Sequence, residues 1–208
     1  MSLTGLIESL IAEGVLQTPS LIQAFQRVDR ADFVLPPFKE DAYEDCALPI
    51  WCEQTISQPY TVAFMLELLQ PQPDDRVMDI GSGSGWTTAL LASVCQHVDA
   101  VERHEELLVF SRENLAKYPF DNITLHKAGR SLGLQGEHFD KILVSCSADE
   151  MPQQLLDQLS PGGTMVIPLQ SSLFKVVKNI DGSLHKEEYP GFFFVPLVND
   201  EEYSGLFR

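Results

Sequence analysis

Basic residues are scarce: 14 Lys and Arg stand against 30 Asp and Glu, for a net charge of -16. A phosphate backbone is repelled by most of such a surface, so DNA and RNA are disfavoured as the main substrate and no nucleic-acid partner is expected. The four cysteines, Cys46, Cys52, Cys95 and Cys146, include no C-x-x-C pair, so spacing signals neither a zinc site nor a redox pair. No apolar run approaches the roughly 20 residues of a membrane helix, and no membrane partner is expected. The start, "MSLTGLIESLIAEG", carries acidic residues where a signal peptide carries basic ones, which points to a cytoplasmic location. Repeats, low-complexity tracts and charged tails are also missing, and 208 residues suit one domain. Nothing in the sequence fixes an oligomeric state, and a monomer is the default.

What is present is a regular alternation. Residues 3–13 and 19–28 have helical spacing, with Thr18 as a cap and Pro19 in the first turn. A long irregular stretch, 33–60, carries prolines at 36, 37, 49 and 59, and connections of this length are often functional. The helix "YTVAFMLELL" then leads into the strand "RVMDI". Helix 86–95, strand "VDAVE", helix 104–117, strand "NITLH", a loop, strand "DKILVS", helix 150–159, turn "SPGG" and strand "TMVIPL" follow. Strands alternating with helices at this spacing predict a mostly parallel sheet with helices on both faces. "LFKVVKN", the turn "IDGS" and "FFFVPLV" read as an antiparallel C-terminal hairpin. The expected organisation is one domain: an N-terminal helical and loop segment (1–57), an α/β core (58–170), and C-terminal antiparallel strands and tail (171–208).

The first core strand runs into "VMDIGSGSGW". The dinucleotide pattern G-x-G-x-x-G fails by one residue, because Trp86 stands where the third glycine belongs, and no G-K-[ST] follows. Gly81, Gly83 and Gly85 remain, at a strand-to-helix turn where backbone can approach a ligand closely. Asp79 places a carboxylate at the carboxyl end of that strand, where open α/β sheets bind ligands, and suits a cationic group better than a pyrophosphate. Glu102, ending the next strand, is placed to accept from both ribose hydroxyls. An adenosine bearing a positive group and no pyrophosphate describes S-adenosylmethionine.

The loop "EQTISQPY" precedes that strand. On local grounds Ser57 is a helix N-cap and Thr55 a polar loop residue, yet the loop can also fold over the carboxyl edge of the sheet. Here a resemblance enters. "RVDRADFV", "AYEDCALPI", "QTISQPYTVAFMLELL", "RVMDIGSGSGWTTALLA", "AVERHEELLVFSRENL", "FDKILVSCSA", "QLSPGGTMVIPL" and "FFFVPL" resemble the protein-L-isoaspartate (D-aspartate) O-methyltransferase family, in its order, over about residues 24–197. The segment "QTISQP" is specific to that family; the glycine turn is shared by many methyltransferases.

The resemblance implies a Rossmann-like methyltransferase fold and S-adenosylmethionine as cofactor. It implies methylation of the carboxylate of L-isoaspartyl and D-aspartyl residues in damaged proteins or peptides, as the first step of repair. It implies an isoaspartyl site on Thr55, Ile56 and Ser57, with Ser57 at the active-site serine position, and Val195, Pro196 and Leu197 near the peptide. Cofactor contacts carry over to Asp79, Gly81, Gly83 and Glu102, with Ser82, Gly85, Arg103, Ala128 and Gly129 beside them. No metal is expected.

The match departs from the family at four places. Trp51 and Glu53 replace the glycines of a G-x-G before "QTIS", Ala128 stands at the aspartate of a G-D-G, and Gln170 replaces a glycine. They leave two alternatives open: a methyltransferase for a different carboxylate or a small-molecule acceptor, and a weakened S-adenosylmethionine-binding module. His97, His104, His126, His138 and His185 form no triad-like pattern, and surface or strand-end roles are expected for them.

Overall fold

The computed structural model describes residues 1–197. Expected elements that reach beyond these, the end of the C-terminal segment (198–208) and Val198 of "FFFVPLV", lie outside the described residues.

The chain opens with α1 (Leu3–Ala12), capped by the Ser2 hydroxyl accepting from the Gly5 amide, and α2 (Pro19–Arg27). Thr18 holds the N-cap position of α2 but makes no capping bond. Its hydroxyl instead donates to Glu67, whose other oxygen accepts from the Gln17 and Thr18 amides. Glu67 thus pins the α1–α2 linker to α3 (Pro59–Leu69). Between them, β1 (Leu48–Pro49) and β2 (Thr55–Ile56) form a small antiparallel hairpin.

The core is a seven-stranded sheet in the order β5-β4-β3-β6-β7-β8-β9. β3 (Arg76–Ile80), β4 (His97–Glu102), β5 (Ile123–Lys127), β6 (Phe139–Val144) and β7 (Leu159–Leu169) are parallel. β8 (Ser172–Lys178) and β9 (Leu184–Pro190) add antiparallel strands at one edge. The helices α4 (Trp86–Ala92), α5 (Glu105–Leu115) and α6 (Gln153–Gln158) lie between strands. The order of the sheet reverses at β3, which sits between β4 and β6. The carboxyl end of β3 is therefore the crevice where open α/β sheets bind ligands.

Three expectations need correction. β9 is "LHKEEYP", whereas "FFFVPL" leaves the sheet edge. β9 is polar and mostly exposed, so its sequence does not look like a buried strand. The apolar run serves other contacts: Phe192 stacks on Phe64 at 5.1 Å between ring centroids, and Ser147 bridges to Pro196. "SPGG" is an irregularity inside β7, where the register against β6 shifts between Phe139 and Lys141. Gly163 allows it, since a Cβ there would meet the Ser160 carbonyl oxygen at 2.8 Å. Finally, α3 takes Gln58 and not Ser57 as its N-cap residue.

One buried arginine organises the irregular stretch. Arg30 is 0% exposed. Its Nη1 donates to the Ala42 carbonyl at 2.7 Å, and its Nη2 donates to the carbonyls of Cys46 at 2.9 Å and Ser57 at 3.1 Å. Its guanidinium lies 5.3 Å from the Trp86 ring centroid, a cation–π contact that joins the N-terminal segment to α4. Burial lowers its pKa to about 10, so it remains charged at neutral pH. A loop that cannot form regular structure must satisfy its carbonyls some other way, and this side chain does so for several at once. Arg30→Met keeps the apolar stem but leaves those carbonyls unpaired. It is expected to lower the unfolding free energy by about 3 kcal/mol in urea titrations, and a loss under about 1 kcal/mol would contradict this role.

Candidate active site

A cleft of about 1040 Å³, counting the solvent at its mouth, opens at the carboxyl ends of β3, β4 and β6. Its wall is built from distant segments. The hairpin loop supplies Thr55, Ile56 and Ser57; the glycine turn supplies Gly81, Ser82 and Gly83. Glu102 and Arg103 come from the end of β4, Ala128 and Gly129 from the end of β5, and Val195, Pro196 and Leu197 from the apolar run after β9. The run is held against the floor by the Ser147 amide donating to the Val195 carbonyl and the Leu197 amide donating to the Ser147 carbonyl.

Glu102 is the best-anchored group in the cleft. It is 5% exposed. Its Oε2 accepts from the Gly83 amide at 2.9 Å, and its Oε1 accepts from the amides of Arg103 at 2.7 Å and His104 at 2.9 Å. A carboxylate has about four acceptor positions, so about one is left. Both hydroxyls of a ribose can bond to Glu102 only if one backbone amide lets go.

Asp79 and Gly85 are not on the cleft wall. Asp79 is fully buried just before the glycine turn, with Oδ2 accepting from the Thr88 hydroxyl at 2.6 Å and Oδ1 unpartnered among the described residues. Burial, with a further push from the charge of Glu102, raises its pKa to about 7. Gly85 packs against α5: a Cβ there would lie 2.7 Å from the Ser111 hydroxyl, and its φ is +89°. It allows close helix approach and makes no ligand surface. Gly81, with φ +75°, faces Cys146, whose sulfur would stand 3.2 Å from an added Cβ. Burial raises the Cys146 thiol far above its ordinary pKa, so it is an unreactive floor residue.

Sequence reasoning passed over several wall residues, among them Ile50, Gln54, Trp86, His104, Leu107 and Leu132. Trp86 and Leu107 have the spacing of core helix positions, and nothing local marks them as cleft residues. The buried atoms Ser82 Oγ and Trp86 Nε1 have no hydrogen-bond partner among the described residues.

The four departures fall in two groups. Glu53 and Gln170 have φ of +58° and +54°, the left-handed region that glycine occupies freely, and neither lines the cleft. Cys52 and Glu53 are the two central residues of the hairpin turn closed by the Gln54 amide donating to the Trp51 carbonyl, and both are left-handed. These substitutions therefore bear on backbone strain, of about 1–2 kcal/mol per residue, more than on the substrate mouth. Trp51 lies against Phe110 of α5, 5.1 Å between ring centroids. Ala128 does line the cleft and offers a methyl group there, while its amide donates to the Glu102 carbonyl at 2.8 Å.

Comparison with known proteins agrees with this geometry. The family model for protein-L-isoaspartate (D-aspartate) O-methyltransferase matches residues 1–202. The protein-L-isoaspartate O-methyltransferase of Thermococcus onnurineus is 40% identical over 202 residues, covering 93% of this chain and 92% of its own. That of Pectobacterium atrosepticum is 41% identical over 201 residues, covering 94% and 97%. A Plasmodium falciparum structure described as a protein-L-isoaspartate O-methyltransferase in complex with S-adenosyl-L-homocysteine superposes with a TM-score of 0.82 at 28% identity, covering 93% of this chain and 97% of that one. With the family model matched along nearly its whole length, the chain belongs to the protein-L-isoaspartate (D-aspartate) O-methyltransferase family.

Proposed function

We infer that the protein transfers the methyl group of S-adenosylmethionine to the carboxylate of L-isoaspartyl residues, and of D-aspartyl residues, in damaged proteins and peptides, so starting their repair. One observation carries this reading: the Ser57 loop and the Glu102-anchored glycine turn line a single cleft.

The cleft fits the cofactor. Glu102 keeps about one acceptor position for a ribose hydroxyl. Ser82 has a buried hydroxyl with no partner among the described residues, and Ile80, Val101, Leu107 and Leu132 give apolar surface for a base. A positive ligand near Asp79 would draw its raised pKa back down and hold it ionised. When bound, S-adenosylmethionine supplies an electrophilic methyl group on a positively charged sulfur.

The rest is done by the chain. A substrate carboxylate with a pKa of about 4 is already ionised at neutral pH, so no general base is required. The protein has to align one carboxylate oxygen, exclude water and hold both partners. We assign the first task to Ser57, whose hydroxyl would donate to the substrate carboxylate. Arg30 fixes the Ser57 carbonyl from behind, and so acts on the loop as a positioning residue. Val195, Pro196 and Leu197 would flank the peptide. In this reading residues 1–57 supply the substrate side, 58–170 the cofactor side, and Val195, Pro196 and Leu197 of the C-terminal segment the cover, within one domain. No helix among the described residues is long and apolar enough to cross a membrane. We place the enzyme in the cytoplasm, acting as a monomer.

Labelled methyl transfer from S-adenosylmethionine to a short isoaspartyl peptide, with its ordinary aspartyl twin as control, tests the reading. Label on the isoaspartyl peptide alone is expected. Equal label on both, or none on either, would move the activity to another acceptor. Ser57→Ala removes one charge-assisted hydrogen bond and is expected to lower kcat/KM roughly 10- to 100-fold. Calorimetric affinity for S-adenosylhomocysteine should stay unchanged, and an unaltered rate would remove Ser57 from the mechanism.

A further inference from the structure

The three donor atoms of Cys52, His104 and Glu106 all lie within 4.8 Å of one another. They come from two separate parts of the fold. Cys52 is at the tip of the β1–β2 hairpin, in left-handed backbone with φ +59°. His104 is the N-cap residue of α5, and Glu106 lies in its first turn. Cys52 Sγ already points at Glu106 Oε2, 3.8 Å away. Cys52 and His104 are only partly exposed, and His104 also lines the cleft.

We propose that Cys52, His104 and Glu106 form a zinc-binding site that ties the tip of the substrate-side hairpin to the start of α5. The donor set is one thiolate, one imidazole and one carboxylate, which matches the borderline softness of Zn²⁺, with water completing a tetrahedron. Zinc–ligand bonds of about 2.0–2.3 Å place ligand atoms about 3.5 Å apart, so closure needs movements of about 1 Å from the present spacing. Side-chain rotation on an exposed turn can supply that. Glu106 and Glu102 both act on Cys52 electrostatically, so the position favours a cation. On binding, the Cys52 thiol gives its proton to solvent and the sulfur coordinates as thiolate.

The consequence lies in the connection between the site and the cleft. Cys52 stands three residues before Thr55, the first residue of β2, and the His104 amide donates to Glu102. A metal across this gap would clamp the loop that carries Ser57 against the helix that follows Glu102. Zinc becomes a means of holding the substrate side of the cleft in place, a property separate from methyl transfer itself.

Titration of the reduced, full-length protein with Co²⁺ tests the site without reference to activity. A thiolate-to-cobalt charge-transfer band saturating at one equivalent, together with d–d bands of tetrahedral strength, is expected, and Zn²⁺ should displace both. Cys52→Ser should abolish the charge-transfer band. His104→Ala and Glu106→Gln should each weaken binding by at least the roughly 10-fold that loss of even an outer-shell contact costs. Cys46→Ser should leave the band unchanged, with circular dichroism confirming that every variant is folded. No band at millimolar Co²⁺, or a band that survives Cys52→Ser, would overturn the site. Amide hydrogen exchange over residues 51–57 should slow when Zn²⁺ is added to the wild-type protein, and equal exchange with and without metal would overturn the clamp.

Discussion

The cleft depends on one carboxylate bound by three backbone amides. Glu102 joins the turn after β3, the end of β4 and the first residues leading into α5. Each segment has backbone donors that nothing else in regular structure would satisfy: a glycine turn by its conformation, and a helix start by its geometry. Placing a negative charge among them offsets that cost and fixes three pieces of chain relative to one another. It also sets the electrostatics of the neighbourhood. The same charge adds to burial in raising the pKa of Asp79 and of the Cys146 thiol. A cationic ligand would relieve the repulsion between Glu102 and Asp79, which supports our reading of the cleft as an S-adenosylmethionine site.

A second constraint supports the first from the substrate side. The irregular stretch before α3 has little secondary structure of its own, and Arg30 replaces it with bonds to the carbonyls of Ala42, Cys46 and Ser57. Because the guanidinium also lies against Trp86, which lines the cleft, the position of Ser57 is tied to the start of α4. The Ser57 loop and the glycine turn are thereby parts of one packed unit: Phe25, Ile50, Ile56 and Trp86 belong to a single hydrophobic cluster.

Periodicity and glycine placement made the centre of the sheet legible. β3 has the bounds its sequence suggests, since a short apolar strand between a charged turn and a glycine turn admits few other readings. The edge was not legible in the same way. β9 packs little of its surface, so selection for apolar residues is absent there, whereas "FFFVPL" is apolar because it covers Phe64 and the cleft. Among site residues, those in the glycine turn and the "QTIS" loop stand where the family motifs put them on the cleft wall. Asp79 and Gly85 share those motifs but stand off the cleft wall, Asp79 fully buried behind the turn and Gly85 against α5. Arg30 was hidden because a buried arginine in a single 3-10 turn (Arg30–Asp32) has no periodic signature. The Cys52, His104 and Glu106 grouping was hidden because 52 residues separate its first two members in the chain. The departures at Glu53 and Gln170 stand in left-handed backbone off the cleft wall, which their residue types do not reveal.

We assign the cofactor site to the amide-bound carboxylate of Glu102. Calorimetric titration of S-adenosylhomocysteine into Glu102→Gln measures this most directly. The amide keeps the shape but loses the charge and turns part of the acceptor set into donors facing backbone N–H groups. Affinity weaker by roughly 10- to 100-fold is expected, the equivalent of one lost charged hydrogen bond, with the fold retained. Affinity equal to that of the wild-type protein would contradict it, because the cleft would then hold its ligand without the interaction on which its architecture rests.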